Sequence, residues 1–358
     1  MKRLSVAILG QGRSGRNIHA HCLTTIPALR ERYRIALVCD PLSERLAATA
    51  ADTGCATSTD WRSALARRDI DLVINATPSD QHVEITAELL AAGHHVLCEK
   101  PLARRVGEVD RLIATAARSG RTLAIFQQSR FAPYFRQIRE VIASGVLGRI
   151  VQIKIAFNGF ARRWDWQTIQ RMNAGNLLNT GPHPLDQALQ LIGDCDPRIL
   201  CRMDRANTFG DAEDHVKLLL WNEDRAAAHP LIDIEISSCS AYPTATYTIS
   251  GTCGGLTGGM ERLEWRWFDP ALAPHQELIA GPMPGLAYCS EQLPWQNASW
   301  EVPPMDRDLF AAAGRDFYTM LHRHLSEGSA LEVTPAQVRR QIAVIEECHR
   351  QNLLPMRC

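Results

Sequence analysis

Neither sign of charge prevails in this 358-residue chain: Lys and Arg total 39, and Asp and Glu total 39. Without a basic surplus there is nothing to track a phosphate backbone, so nucleic acid is excluded as a main partner. Long apolar runs are missing too, and none approaches the ~18 residues that a membrane span needs. After Lys2 and Arg3 the first apolar stretch stops at Gly10, too short for the apolar core of a signal peptide. No two cysteines are spaced C-x-x-C, and the eleven are odd in number. That usage argues against a zinc site or a disulfide framework, predicts no metal, and fits free thiols in a reducing cytoplasm. No repeat or low-complexity tract is visible. What remains is an ordinary globular composition, 46% hydrophobic and 22% charged. At roughly 100–200 residues per domain the length predicts two domains.

The first 130 residues alternate two periods. Leu4 to Leu9, Arg34 to Cys39, Leu72 to Asn75, His95 to Cys98 and Thr122 to Phe126 read as buried strands. Between them apolar residues recur at helical spacing, as in Val83, Ala87 and Leu90, or Val106, Val109, Ile113 and Ala116. Asp80 is placed to cap one helix, and Gly93 and Gly120 to close others with left-handed residues. Alternation of this kind predicts a doubly wound parallel sheet, an α/β domain over residues 1–130. A helix over Pro133 to Ala143 follows. Beyond it the strands Ile150 to Phe157, Val216 to Trp221, Leu231 to Ser238 and Thr244 to Ser250 have few helices between them, the main one running from Pro182 to Ile192. Residues 131–358 therefore read as an α+β domain with a large, open, mainly antiparallel sheet. Phe268 to Pro304 reads as a long excursion or edge-strand region, with Trp295 and Trp300 as packing or oligomer contacts. Thr334-Pro335-Ala336-Gln337 then opens a C-terminal helix able to pack back on the first domain.

Gly10-Gln11-Gly12-Arg13-Ser14-Gly15 joins the first strand to a helix. The first glycine allows the tight turn, the second a close approach of pyrophosphate, and the third close helix–strand packing. The free N–H groups of the helix start favour phosphate charge. Asp40 ends the second strand, where a carboxylate accepts hydrogen bonds from an adenosine ribose. The glycines of 251–259 precede an alternating Leu263, Trp265 and Trp267, so they read as a turn between strands. Asn75-Ala76-Thr77-Pro78 and Glu99-Lys100-Pro101 lie at carboxyl ends of parallel strands, where open α/β sheets bind ligands. In the second domain, Asn179-Thr180-Gly181-Pro182-His183-Pro184-Leu185-Asp186 puts His183 near a helix start, where the dipole disfavours imidazolium. Asp186, one turn on, is spaced to orient that ring.

In this order the motifs resemble the Gfo/Idh/MocA oxidoreductases, the glucose–fructose oxidoreductase and inositol dehydrogenase family. The likeness runs through Gly10 to Gly15, Asp40, Thr77-Pro78 with His82, Glu99-Lys100-Pro101, Arg130-Phe131-x-Pro133 and Gly145-x-x-Gly148. It implies an N-terminal Rossmann domain, a C-terminal domain whose open sheet forms a homo-oligomer (dimer or tetramer), and NAD or NADP as cofactor. By the resemblance Lys100 is the catalytic lysine and His183 the catalytic histidine. Glu99 lies near the nicotinamide, and Thr77, Pro78 and His82 along the cofactor. Gln128 stands where the family usually has asparagine, and Asn179 where it often has aspartate. Gln128 keeps the capacity to bond a hydroxyl, whereas Asn179 cannot ionise.

The expected activity is NAD-dependent oxidation of a secondary alcohol in a sugar, inositol or related polyol. Asp40, which would repel a 2′-phosphate, favours NAD over NADP. Arg163 and Trp164, with Asn179, Lys100 and His183, are the expected substrate contacts. Two rivals stand beside this reading: a redox-neutral glycosidase or lyase working through a transient keto-sugar, and a non-catalytic NAD-binding regulator.

Overall fold

Every residue of β1 (Leu4–Leu9) is buried, as a strand covered on both faces requires. The structure is a computed structural model and describes residues 2–224, 229–282 and 289–356. Around β1 lie β2 (Tyr33–Cys39), β3 (Ala56–Ser58), β4 (Leu72–Asn75), β5 (His95–Cys98) and β6 (Leu123–Ile125). All pair in parallel, in the order β3-β2-β1-β4-β5-β6. The edge strand β3 gave no sequence signal, because it has three residues and none is buried. After β3 the chain returns to the far side of β1, so its winding reverses between β1 and β4. That reversal opens a crevice at the carboxyl ends of the two strands.

The glycine-rich segment leads into a π-helical turn, Gly15–Ala20, continued by α1 (His21–Thr25) and α2 (Pro27–Arg30). The remaining crossovers are α3 (Ser43–Thr53), α4 (His82–Ala91) and α5 (Val106–Ser119). Gly120 closes α5 with φ +62°, and Gly93, at φ +89°, follows the end of α4. Asp80 does not cap α4, contrary to expectation. It lies inside a preceding 3₁₀ turn, Ser79–Gln81, so the helix starts later and its N-cap, Gln81, makes no side-chain bond.

After α6 (Pro133–Ala143) comes the second sheet, built from β7 (Ile150–Asn158), β8 (Arg198–Asp204), β9 (His215–Trp221), β10 (Leu231–Ser237), β11 (Tyr247–Gly251), β12 (Gly254–Gly258), β13 (Arg262–Trp267) and β14 (Gln296–Glu301). The order is β14-β13-β12-β11-β7-β10-β9-β8, antiparallel except for β7 beside β10. The glycines near 254 serve this sheet: a Cβ on Gly254 would meet Arg266 O at 2.2 Å. Residues 268–282 and 289–295 contain one 3₁₀ turn, Pro270–Leu272, before the edge strand β14. Residues 283–288 of that expected excursion lie outside the described residues.

Ile153, Ile155, Leu218, Leu220, Ile234 and Ile236 are buried on the face carrying α7 (Asn176–Asn179) and α8 (Pro182–Leu191). Burying each such side chain stabilises the fold by roughly 1.5–3 kcal/mol. The alternate residues face the other way and include Lys217 and Asp233, 2.6 Å apart. Two last helices turn back. α9 (Leu309–Glu327) lies on the first domain, where Phe317 meets Phe126 edge-on at 4.9 Å. α10 (Pro335–Gln351) wedges between α5, α8 and β8, and opens with the expected capping box of Thr334 and Gln337.

Candidate active site

The glycine loop is shaped by close approach. Gly10 has φ +88°, and a Cβ there would lie 2.3 Å from Ala76 O; a Cβ on Gly15 would lie 1.7 Å from Gly10 O. Gly12 differs, since a Cβ there would meet nothing closer than Arg45 Nη1 at 3.8 Å. Its bareness leaves room for a ligand rather than for protein. Beside it Asp40 is buried, Oδ2 accepting the Gln11 N–H at 2.7 Å and Oδ1 the Leu42 N–H at 2.9 Å. Arg45 Nη1 stands 3.7 Å from Asp40 Oδ2, a partner that sequence reasoning missed.

At the end of β4, Asn75 donates to Thr86 Oγ1 at 3.0 Å and accepts from Thr77 Oγ1 at 2.7 Å. His82 is buried beneath, with Nδ1 2.7 Å from Pro101 O and Nε2 2.9 Å from Thr77 O. A neutral imidazole donates only once, so two carbonyl partners favour the protonated ring. Burial opposes that charge, but Cys98, the Pro101 carbonyl and Glu99 outweigh it and hold the pKa up to about 9. The ring thereby ties the Thr77 loop to the segment after β5.

That segment carries Glu99 and Lys100. Glu99 Oε1 lies 3.1 Å from His19 Nε2, and Oε2 accepts the Lys100 N–H at 3.0 Å. Burial raises the Glu99 carboxyl; the His19 hydrogen bond, the His19 and Lys100 charges and the Lys100 N–H overcome it and hold the pKa at about 2. The Lys100–Pro101 peptide is cis. Lys100 Nζ crosses to the second domain and donates to Asn179 O at 2.8 Å. Burial pushes the Lys100 ammonium below its ordinary pKa; Glu99 opposes this, and the Arg13 and Arg163 charges add to it.

The facing wall comes from α7, α8 and the loop after β7. Pro182 opens α8, and His183 Nδ1 sits 3.1 Å from Ser129 Oγ. Burial, then the Lys100 charge, press His183 down to about 3 against the pull of Glu99, so the ring stays neutral. Asp186 does not orient it. Its carboxylate is turned to Arg130, which bonds both oxygens, because only that charge compensates its burial. Asn179 Oδ1 accepts from Gln167 Nε2 at 3.2 Å, and Arg163 donates to Asp165 at 2.5 Å and to Gln167 Oε1.

These groups line one cleft of about 430 Å³: Gly10, Gly12, Arg13, Ser14, Asp40, Arg45, Thr77, Pro78, His82, Glu99, Lys100, Gln128, Arg163, Asn179 and His183. Three expected residues are absent from its lining. Gln11 turns its side chain to Thr49 and Gly10, while Gly15 is packed under Gly10. Trp164 is 78% exposed and stands edge-on to Phe209 instead. Trp166, Gln167, Thr180 and Phe310 line the cleft without having been anticipated, and Asp165 lies there beside Arg163. Trp166 carried a faint signal, as the second tryptophan of an Arg-Trp-Asp-Trp run.

The residues present fit a dinucleotide. Gly12 leaves the cradle bare, and Asp40 retains acceptor capacity beyond its two backbone bonds. Gln128 is 4% exposed, and its Oε1 has no hydrogen-bond partner among the described residues although it lines the cleft. A buried orphan acceptor of this kind is costly unless a ligand completes it.

Residues 4–127 match the model of an oxidoreductase family with an NAD-binding Rossmann fold, and residues 135–257 match the GFO/IDH/MocA C-terminal domain. The chain belongs to the Gfo/Idh/MocA oxidoreductase family. An uncharacterised oxidoreductase of Schizosaccharomyces pombe is 27% identical over 98% of this chain and 97% of its own length. The D-glucoside 3-dehydrogenase of Escherichia coli is 32% identical over 53% of this chain and 54% of its own. The 2,7-anhydro-N-acetylneuraminate hydratase of Mediterraneibacter gnavus is 27% identical over 72% and 67%. Among solved structures, an NAD-binding protein from Listeria innocua superposes with TM-score 0.79 over 98% of this chain and 97% of that one, at 21% identity. GenD2 of gentamicin A biosynthesis, in complex with NAD, gives TM-score 0.74 at 22% identity over 98% and 94%. At such identities the structures speak for the fold. Membership makes this Gfo/Idh/MocA protein an oxidoreductase with a nicotinamide-dinucleotide domain.

Proposed function

We propose that this Gfo/Idh/MocA oxidoreductase oxidises a secondary alcohol of a neutral sugar, inositol or related polyol, with NAD as cofactor. The observation that carries the reading is the convergence of Lys100, His183 and Asn179 on one cleft with the glycine loop and Asp40. A bound nicotinamide supplies the hydride acceptor. Lys100, whose ammonium is destabilised by burial, takes the hydroxyl proton at Nζ and returns it in reduction. His183, kept neutral by burial, orients the hydroxyl by hydrogen bonding. Gln128 Oε1 accepts from the cofactor. The Arg163–Asp165 pair balances its own charge at the cleft wall, which supports a neutral polyol. The D-glucoside 3-dehydrogenase relative lends support to the substrate class. Asp40 supports NAD over NADP, since its carboxylate is fixed by two N–H groups and would repel a 2′-phosphate. The uncovered face of the second sheet supports a homo-oligomer, and the buried free thiols Cys22, Cys39, Cys98, Cys201 and Cys348 a reducing cytoplasm.

A second reading, redox-neutral chemistry through a transient keto-sugar, is favoured by the hydratase relative. One experiment separates them: incubating the protein and NAD with a panel of pyranoses, inositols and glycosides while following both NADH absorbance and substrate loss. NADH formed in step with substrate consumed supports the dehydrogenase. Substrate consumed without net NADH supports the redox-neutral reading. Loss of neither over the panel, with NAD shown to bind, defeats both.

A further inference from the structure

Behind the cleft wall lies a carboxyl that the reading above leaves idle. Glu213, in the loop before β9, is 3% exposed. Its Oε1 accepts the Leu177 N–H at 3.0 Å, and its backbone carbonyl accepts the Asn176 N–H at 2.9 Å. These are leading N–H groups of α7, which no carbonyl within the helix can satisfy. The carboxyl group rests on Gly175, where a Cβ would come within 2.4 Å of Oε1 and 2.5 Å of Oε2. One turn onward, Asn179 N donates to Gly175 O at 2.8 Å, and Asn179 O receives Lys100 Nζ at 2.8 Å. A single turn of helix therefore links the two ionisable groups.

We propose that Glu213 is a positioning residue for Lys100: seated on Gly175 and bonded to the start of α7, it sets the place of the Asn179 carbonyl that holds the lysine. The proposal rests on Lys100 being the proton acceptor and adds regulation of its geometry by a second ionisation. Charged and titratable groups face Glu213 from four sides. Asp214 adjoins it in the chain, Arg104 comes from the segment before α5, and Cys348 of α10 senses its charge. Arg163 and Gln167, both lining the cleft, also share with Glu213 a cavity of about 10 Å³. Burial pushes the carboxyl up to about 7; the Leu177 N–H, its own N–H and Arg104 oppose, and Asp214 adds to the rise. An ionised acceptor at a helix start bonds its N–H more strongly than a neutral one. The start of α7 is therefore held tightly above neutrality and loosely below it. Glu99 and His183, which also interact with Lys100, titrate near 2 and 3, outside that range.

The test needs no substrate. The chain has four lysines, Lys2, Lys100, Lys154 and Lys217, so ¹³C,¹⁵N-lysine labelling gives a sparse spectrum in which Lys100→Arg assigns Lys100. Its side-chain signals should show two steps with pH, one at neutrality from Glu213 and one from its own amine. In Glu213→Gln the neutral step should vanish while the other remains, and in Glu213→Asp it should return at a shifted pH. If Glu213→Gln fails to fold, the displaced step in Glu213→Asp alone decides. Curves for the Glu213 variants that superimpose on wild type, or a single step in all of them, overturn the proposal. On any substrate found with the panel, Glu213→Gln should lower kcat more than it raises KM, and flatten the neutral limb of the pH–rate profile. A Lys100→Ala variant that keeps full turnover would remove the catalytic reading yet leave the coupling seen by NMR intact, so the two failures are distinguishable.

Discussion

Arg130 and Asp186 form a two-pronged ion pair with 5% and 1% exposure, joining the end of the dinucleotide domain to the helix that carries His183. Arg130 Nη1 also donates to Glu332 O at 2.6 Å and to Gln337 Oε1 at 2.7 Å, at the start of α10. The guanidinium thus has acceptors on two separate segments, α8 and the start of α10. Asp186→Asn should leave a buried positive charge half-compensated and destabilise the protein by about 3–5 kcal/mol. Thermal unfolding checks this. A melting temperature equal to wild type would show that the pair contributes nothing, and a changed His183 titration would show that Asp186 acts on the ring after all.

Asp40 and Arg45 make opposite demands on a 2′-phosphate. Asp40→Ser should remove the repulsion and free Arg45, raising NADP affinity by about tenfold or more, equivalent to about 1.4 kcal/mol. NAD should bind more weakly, because the Gln11 N–H loses its partner. Arg45→Ala added to that variant should take the NADP gain away. Isothermal titration with both cofactors tests the set, and unchanged NADP affinity in Asp40→Ser would remove Asp40 as the discriminating group.

His183 predicts a pH dependence of stability. In the folded protein its pKa is about 3, against an ordinary 6.5. Between these values the unfolded chain binds a proton that the native ring does not, so stability is intact above 6.5 and falls as pH drops toward 3. Each pH unit crossed costs up to about 1.4 kcal/mol. Glu99 acts in the same sense but lower, its stabilisation being lost between 4.5 and about 2. Melting temperatures of His183→Gln should therefore decline less steeply than those of wild type between pH 6.5 and 4.5. Parallel curves would mean that the imidazole is solvated.

Lys100 and Asn179 should respond differently to truncation. Lys100→Met removes the proposed proton acceptor and should lower kcat by about 10²–10⁴-fold with NAD binding largely kept. Asn179→Ala keeps the backbone carbonyl that holds Lys100. It should raise KM, leave the Lys100 titration in place, and free Gln167 Nε2. A loss of Lys100 titration in Asn179→Ala would show that the amide side chain, rather than the carbonyl, controls the lysine.

The parallel sheet was legible because β1, β2 and β4 to β6 are continuous apolar runs, each followed by a turn and an amphipathic helix. β3 escaped notice because an exposed edge of three residues needs no apolar pattern. The glycine loop, Asp40, Lys100 and His183 were legible as local motifs, each held close to its own strand or helix end. Partners were not. Asp186 lies one turn from His183 in sequence yet faces Arg130, a choice set by which buried charge most needs an opposite one. Trp164 and Trp166 are two residues apart, and nothing in their spacing says which of them borders the cleft. Arg45 was overlooked for a similar reason, since a half-exposed arginine on α3 reads as surface until the loop beside it is seen.

The grip of α10 on Arg130 bears on how the protein is made. A ribosome releases the strands and crossover helices of the dinucleotide domain first, since they precede the rest of the chain. The helix bearing His183 emerges later but finds its clamp incomplete, because Gln337 and the Glu332 carbonyl are still to be synthesised. Gln341, whose Nε2 donates to Pro182 O at 2.7 Å, follows later still. The residues of the cofactor half of the cleft thus leave the ribosome well before its histidine can be fixed opposite the lysine. Catalytic competence arrives only with the last helix.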